Sequence, residues 1–487
     1  MTITLDSRKD FTLANYARVA AGEGVAFSDG ARQRMSDERA RFIALLDSDR
    51  SQFIYGTTSG GGPDAKNAIP ADEQRKRSAW KPESATGAGF GGEPLPESVV
   101  RGIVFARLAN YVEGHAKSRP VMAERVAALL DEPMAEVPSG GQVGPGEVLP
   151  LAFVTARLWG DDLEEGEPMA LINGSPVSAA LAADTALLAT PRLALAEEVF
   201  ALSVEAFNAP LDAYDPALDD LWGDPFEGRA LVSLRRLLTG VSTEGRRPYQ
   251  APVGWRILPR VLGQAWRAVD GVTRAAEVSL ASVTDNPVLV PADHDHPHGR
   301  ALSNGGYHNA MATPALDTLS QSWADLASLA DRQTTKMHAG PTSLLPAMLK
   351  PAGSPGFGTA ILAMAAIGFV EDARHAAQRT LLPGSEGGGF GQNDVASPTM
   401  QAWRKERQAA AALEATLACL AIAASQALAV TGRTAPPALD SLVSLVRRHF
   451  PPVAAATEGR RFGPEAAALT AAFRDRIAGP AGTSAES

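Results

Sequence analysis

Hydrophobic positions divide the chain into two textures. Up to about residue 175, short helical patterns alternate with loops rich in Gly, Pro and Ser. From about residue 176, long Ala/Leu-rich segments follow one another at 176–206, 256–282, 311–334, 356–381 and 399–431, separated by breaks containing Gly or Pro. Each is far longer than a strand, so the pattern predicts a bundle of long helices. The segment 399–431 opens on Gln401, Arg404, Lys405, Glu406 and Arg407 and continues through Leu413, Leu417, Leu420 and Ile422, apolar nearly all round. Such a helix belongs inside a large bundle or a subunit interface. Glu414, Ser425 and Gln426 interrupt it, so it is read as a core helix and not a membrane span. Alternating β-type runs are scarce, and Asn286 to Val290 is the one short strand predicted in the second half. The fold class is all-α, divided into an N-terminal region (1–195), a central long-helix bundle (196–445) and a C-terminal segment (446–487) whose tail, from about Ala481, reads as disordered.

Charge and cysteine content narrow the function classes. The net charge of −10 offers no basic stripe for phosphates, so nucleic acid is not an expected partner. The single cysteine, Cys419, lies in an apolar run and reads as a buried, inert thiol. The polar first residues carry no apolar leader segment, and a cytoplasmic location is expected. Glycine is the composition's anomaly, because 17 of the 45 fall within four short windows: 56–62, 87–92, 140–146 and 384–391. Glycine serves where the backbone needs positive φ or must approach something closely. No phosphate-loop pattern occurs among them, which leaves tight loops or plain linkers.

Read with their flanks, these loops resemble the histidine and phenylalanine ammonia-lyases. Tyr55-Gly56-Thr57-Thr58-Ser59-Gly60 is similar to that family's Y-G-x-x-[ST]-G loop, and Glu93-Pro94-Leu95-Pro96, Gly114-His115 and Arg119-Pro120 follow in the family's order. Val143-Gly144-Pro145-Gly146-Glu147, Ile172-Asn173-Gly174-Ser175-Pro176, Ser282 to Pro287, Ser303 to His308 and Gly391-Gln392-Asn393-Asp394 complete the series, from about residue 50 to 430. The resemblance implies an all-α homotetramer whose active sites are shared between subunits. It also implies a small carboxylate, amino-acid-like substrate.

The sequence departs from that pattern where it matters most. The family cyclises an internal Ala-Ser-Gly into a methylidene-imidazolone electrophile, and the equivalent stretch here, 143–147, is one residue shorter with proline and no serine. No cofactor is therefore expected. Two other triplets, Thr58-Ser59-Gly60 and Pro138-Ser139-Gly140, contain Ser-Gly at other positions of the pattern. The family's Tyr-Ser-Leu-Arg segment corresponds to Val253-Gly254-Trp255-Arg256, and the glutamate of its Gln-Glu-Asp is Asn393. Its inner-loop Ser-His falls at Thr86-Gly87.

The matched positions define a candidate site. Arg256 would grip a substrate carboxylate through its planar fork, against the alternative of a structural ion pair. Tyr55 occupies the place of the family's general base, against the alternative of a packed loop tyrosine. Asn173 and Gln392 would orient substrate, and Tyr307 stands where the family usually has phenylalanine. Trp255 is either packing or an aromatic face for a quaternary ammonium, with Asn393 and Asp394 completing that pocket. His294, His296 and His298 alternate in a Pro-containing turn, read as a solvated loop and not a metal site. The leading expectation is a cofactor-free lyase in which Tyr55 takes a proton and an amine-type group leaves, with betaine trialkylamines as one such class. An isomerase, cyclase or addition enzyme on the same fold, or a non-catalytic ligand-binding descendant, are the alternatives.

Overall fold

A computed structural model describes residues 2–78, 87–381, 391–453 and 460–479. The Ala/Leu-rich segments are helices: α2 (Pro176–Ala206), α3 (Leu258–Ala281), α4 (Ala312–His338), α5 (Ile361–Ala376) and α6 (Thr399–Thr431), preceded by α1 (Glu97–Leu108) and followed by α7 (Phe462–Ala478). α6 runs through the middle, packed along α2, α4, α5 and α7, and α3 lies against α2 and α4. From Ala409 to Leu428 every residue of α6 but Ala411 is buried, so the helix must be apolar on all faces. Gly432, at φ +66°, ends it. Each fully buried leucine on it, such as Leu417 or Leu420, contributes roughly 2 kcal/mol of burial. By length and composition α6 could cross a membrane, yet 89% of its most apolar window is buried inside the fold. Cys419 is buried there, and burial pushes its thiol up to about 12.

Where boundaries shift, local chemistry explains it. Helix α3 begins at Leu258 because Ile257 leaves the helical region and Val253–Arg256 forms a separate short turn of helix. Helix α5 begins at Ile361 because Gly356 and Gly358 adopt positive φ. The predicted strand is two residues shorter at its start: β3 (Val288–Val290) pairs antiparallel with β4 (Arg300–Leu302), and Pro287 has no N–H for the ladder. A parallel pair, β1 (Thr2–Leu5) with β2 (Gly24–Phe27), was not evident from the pattern because each strand is only four residues long. The tail from Ala481, Thr86 and most of the fourth glycine window lie outside the described residues.

The buried apolar residues form one continuous cluster reaching from Ile3 to Ile477. A small second cluster of Phe42, Leu45, Leu46, Ile54 and Leu289 lies under the loop that carries Tyr55. It ties that loop to β3, and so the N-terminal loops to the second half of the chain.

Candidate active site

The loop around Tyr55 is held by its own backbone. Ile54 N–H donates to Thr58 Oγ1 at 2.8 Å, and Ser59 bridges to Ala68. Gly56 sits at φ +68°, where an added Cβ would lie 2.3 Å from Met169, so no other residue fits. Tyr55 is half-buried, and its phenolic oxygen accepts the Gly62 N–H at 2.8 Å, which leaves the phenolic proton itself available. A Cβ at Gly62 would point at the Asn393 amide 3.9 Å away, so Asn393 lies just across Gly62 from Tyr55.

The shortened loop comes next in space. Ser397 N–H reaches Gly144 carbonyl at 3.4 Å, which lays the 391–397 segment beside residues 143–147. Gly146 (φ +64°) and Glu147 (φ +53°) take the left-handed conformation in succession. A Cβ on Gly146 would stand 3.3 Å from the Asn173 side-chain amide. Asn173 is buried, and its Oδ1 has no hydrogen-bond partner among the described residues. An acceptor left unmet in a buried position calls for a donor.

A buried cation fixes that asparagine. Arg107 donates to the carbonyls of Asn173 and Ala170 and pairs with Asp285 at 2.7 Å, with both side chains almost fully buried. Tyr111 Oη adds a bond to Ala170 carbonyl at 2.8 Å. Ser175 N–H donates to Thr284 Oγ1 at 3.0 Å, and Thr284 N–H to Asn110 Oδ1 at 2.7 Å. The 303–308 loop hangs from the same turn: Asn304 N–H donates to Asn286 Oδ1 at 2.9 Å, and Asn304 Nδ2 to Asp285 carbonyl at 3.0 Å. Tyr307, half-buried, is carried on this loop. Tyr55, Gly62 and the 391–397 segment thus lie beside residues 143–147, which abut Asn173, and Ser175 next to it hydrogen-bonds the Gly306 carbonyl of the Tyr307 loop.

Other candidates are placed differently. Gln392 and Asp394 flank Asn393 and are exposed. Trp255 is buried in the bundle, its indole N–H donating to Ser203 Oγ at 3.0 Å and its ring stacked on Phe207 with centroids 3.8 Å apart. It is a packing residue within this chain. Arg256 is exposed and donates to Ala251 carbonyl at 2.9 Å, and no ion pair or hydrogen bond joins it to the Tyr55 cluster among the described residues. His294 and His296 pair with Asp295 and Asp293 in an exposed loop. Among the described residues no group of three or more His, Cys, Asp or Glu could hold a metal ion.

Sequence reading gave no role to Glu147. Its buried carboxylate accepts the Val177 N–H at 2.6 Å and the Ser178 N–H at 2.9 Å, together with the Ser178 hydroxyl, and so caps the start of α2. Burial pushes the carboxyl up to about 7, against the pull of those donors. The available signal was an acidic residue directly after the glycine loop. Lys117 was missed too: buried at φ +60°, it donates to Pro287 carbonyl, and burial lowers its amine to about 8. Nothing in a Gly-His-Ala-Lys string marks a buried amine.

The triplets containing Ser-Gly are both engaged elsewhere. Gly60 N–H donates to Asn67 carbonyl at 3.1 Å and Gly140 N–H to Gly91 carbonyl at 2.7 Å, so each ring-closing nitrogen is tied to another loop. Residues 143–147 contain no side-chain hydroxyl to lose as water.

Comparison with known proteins covers nearly the whole chain. A sequence profile described as aromatic amino acid lyase matches residues 11–162 and 161–448. The histidine ammonia-lyase of Deinococcus radiodurans is 27% identical over 94% of this chain and 91% of its own. Among solved structures, the ergothioneine-degrading enzyme ergothionase from Treponema denticola, in complex with desmethyl-ergothioneine sulfonic acid, superposes with a TM-score of 0.85 at 17% identity, covering 98% of this chain and 99% of that one. The histidine ammonia-lyase from Trypanosoma cruzi gives 0.80 at 22% identity, covering 98% and 95%.

Proposed function

The chain belongs to the aromatic amino acid lyase family, whose members are carbon–nitrogen lyases, and on that premise we propose that it eliminates an amine from a small amino-acid-like carboxylate without a methylidene-imidazolone. The observation that carries this reading is the 143–147 loop: it closes against Asn173 as Gly-Pro-Gly, with no hydroxyl to dehydrate. An amine expelled without an electrophile must leave easily. A trialkylammonium does, because its nitrogen already carries full positive charge, so a betaine of an aromatic or imidazole amino acid is the substrate class. The fold-level likeness to ergothionase supports that choice.

In the proposed reaction Tyr55 first gives its phenolic proton up to solvent, and its oxygen then takes the proton from the carbon next to the one bearing nitrogen. The C–H electron pair forms the C=C bond, the C–N pair departs with nitrogen, and a neutral trialkylamine and an unsaturated carboxylate result. Asn393, across Gly62 from Tyr55, is assigned to the approach together with its exposed neighbour Gln392, Asn173 offers its unmet Oδ1 to the ring N–H of an imidazole betaine, and Tyr307 is assigned to the pocket wall. Arg256, far from this cluster in its contacts, is assigned to the site of a neighbouring copy in a homotetramer. Its exposure beside the exposed apolar Val253 and Ile257 supports that placement. Trp255, buried one residue away, sets the Arg256 turn and not the pocket wall.

Incubation with histidine betaine and phenylalanine betaine, followed by assay for trimethylamine, tests the reading. Release from either supports it. No release from any aromatic or imidazole betaine overturns it.

A further inference from the structure

Partway along the bundle, α2, α6 and α7 enclose a cavity of about 400 Å³. Asp184 and Arg192 on its wall lie ~12–24 Å along α2 from Pro176, counted at 1.5 Å per residue, so the cavity is separate from the loop cluster at that helix's start. Three guanidiniums (Arg192, Arg407, Arg474) face three carboxylates (Asp184, Glu406, Glu414). Arg192 Nε binds Glu414 Oε1 at 2.9 Å, Arg474 Nε binds Glu414 Oε2 at 2.9 Å, and Glu406 accepts the Trp323 indole N–H at 2.8 Å.

That pairing leaves three buried atoms over, one of them the Trp403 indole nitrogen, whose N–H is directed to Asp184 and draws its carboxyl down against the burial that raises it. Asp184 Oδ2 and Thr185 Oγ1 have no hydrogen-bond partner among the described residues, and the Arg407 guanidinium stays 3.9 Å from Asp184. Thr185 is only 1% exposed, so bulk water does not serve it. At the mouth, Arg407 and Arg474 are about half exposed and have N–H groups to spare. Leu188, Ala411 and Ile477 make the remaining wall apolar. Because the wall charges already balance, a lone ion entering would leave one charge unmatched, whereas a zwitterion would not.

We propose that this cavity is a second binding site, for an α-amino acid zwitterion with an apolar side chain. The ammonium donates to Asp184 Oδ2 and Thr185 Oγ1, the carboxylate meets Arg407 and Arg474, and the side chain lies on Leu188 and Ile477. Isothermal titration of the full-length protein with L-leucine, and with ammonium chloride, sodium acetate and glycine as controls, tests it. The expected result is one L-leucine site per chain in this cavity, at least tenfold weaker or absent in both Thr185→Val and Ala411→Phe. Ala411→Phe fills the cavity without removing a polar group, and circular dichroism melts establish that both variants are folded. L-leucine isotherms unchanged in the folded variants, no binding to the unmodified protein, or ammonium and acetate binding as tightly as L-leucine each overturn the proposal.

Discussion

The long-helix bundle and the loop cluster around Tyr55 are held by different physics. In α6, position comes from apolar burial spread over many interchangeable contacts, and a lost methylene is felt mainly in stability. In the loop cluster, position comes from single polar contacts: Arg107 to the carbonyls of residues 170 and 173, Gly62 N–H to Tyr55, Glu147 to the first N–H groups of α2. Losing one of these moves a reactive group. Stability and turnover should therefore separate by region.

Arg107→Ala should break that separation most severely, because it leaves Asp285 as an uncompensated buried charge and frees the Asn173 turn together. A loss of about 3–5 kcal/mol in urea unfolding is expected, with turnover lost as well. Retained activity in a stable Arg107→Ala protein would mean that the turn is held some other way. Tyr55→Phe should show the loop cluster's side of the contrast: turnover falls by about 10²–10⁴-fold, while stability drops by only about 1 kcal/mol for the lost Gly62 bond. Leu420→Ala should show the bundle's side, costing about 2–5 kcal/mol with turnover per folded molecule unchanged at low temperature.

A titration sharpens the contrast further. The Glu147 carboxyl is raised from 4.5 to about 7 in the fold. The unfolded chain thus releases this proton at lower pH than the folded one does. Its contribution to stability is fully present below about 4.5 and is lost as pH rises through about 7. Urea midpoints measured between pH 4.5 and 8 should decline on this account, and Glu147→Gln should flatten that part of the decline. An unchanged slope in the variant would assign the decline to other groups. The smallest effect belongs to Trp255→Phe, which loses one buried N–H bond to Ser203, worth about 1 kcal/mol, and should leave the Michaelis constant for a betaine unchanged.

Legibility in the sequence follows the same division. Helices 176–206 and 399–431 were placed to the residue because apolar burial writes itself as a long pattern ended by proline or glycine. Two of the glycine windows hold loops whose backbone requires glycine, since Gly56 and Gly146 combine positive φ with close approach to a neighbouring side chain. Periodicity could not reveal which side chains the loops bring together. The Tyr55 loop and Asn393, 338 residues apart in the chain, come together only across Gly62, and the buried pair Arg107–Asp285 spans 178. Lys117 and Glu147 look like surface charges in a string, and only the packing shows them buried. Trp255 read as a possible pocket face because its neighbour Arg256 matched a motif, but adjacent residues of a helix point in different directions.

Carbon–nitrogen bond breaking is proposed to proceed here without a ring formed from the chain itself. Its most direct test is the intact mass of a protein preparation that is releasing trimethylamine from a betaine. The expected mass is that of the unmodified polypeptide, with no water lost. An active preparation lighter by the water that ring formation expels, with the deficit mapping to Ser59 or Ser139, would contradict it.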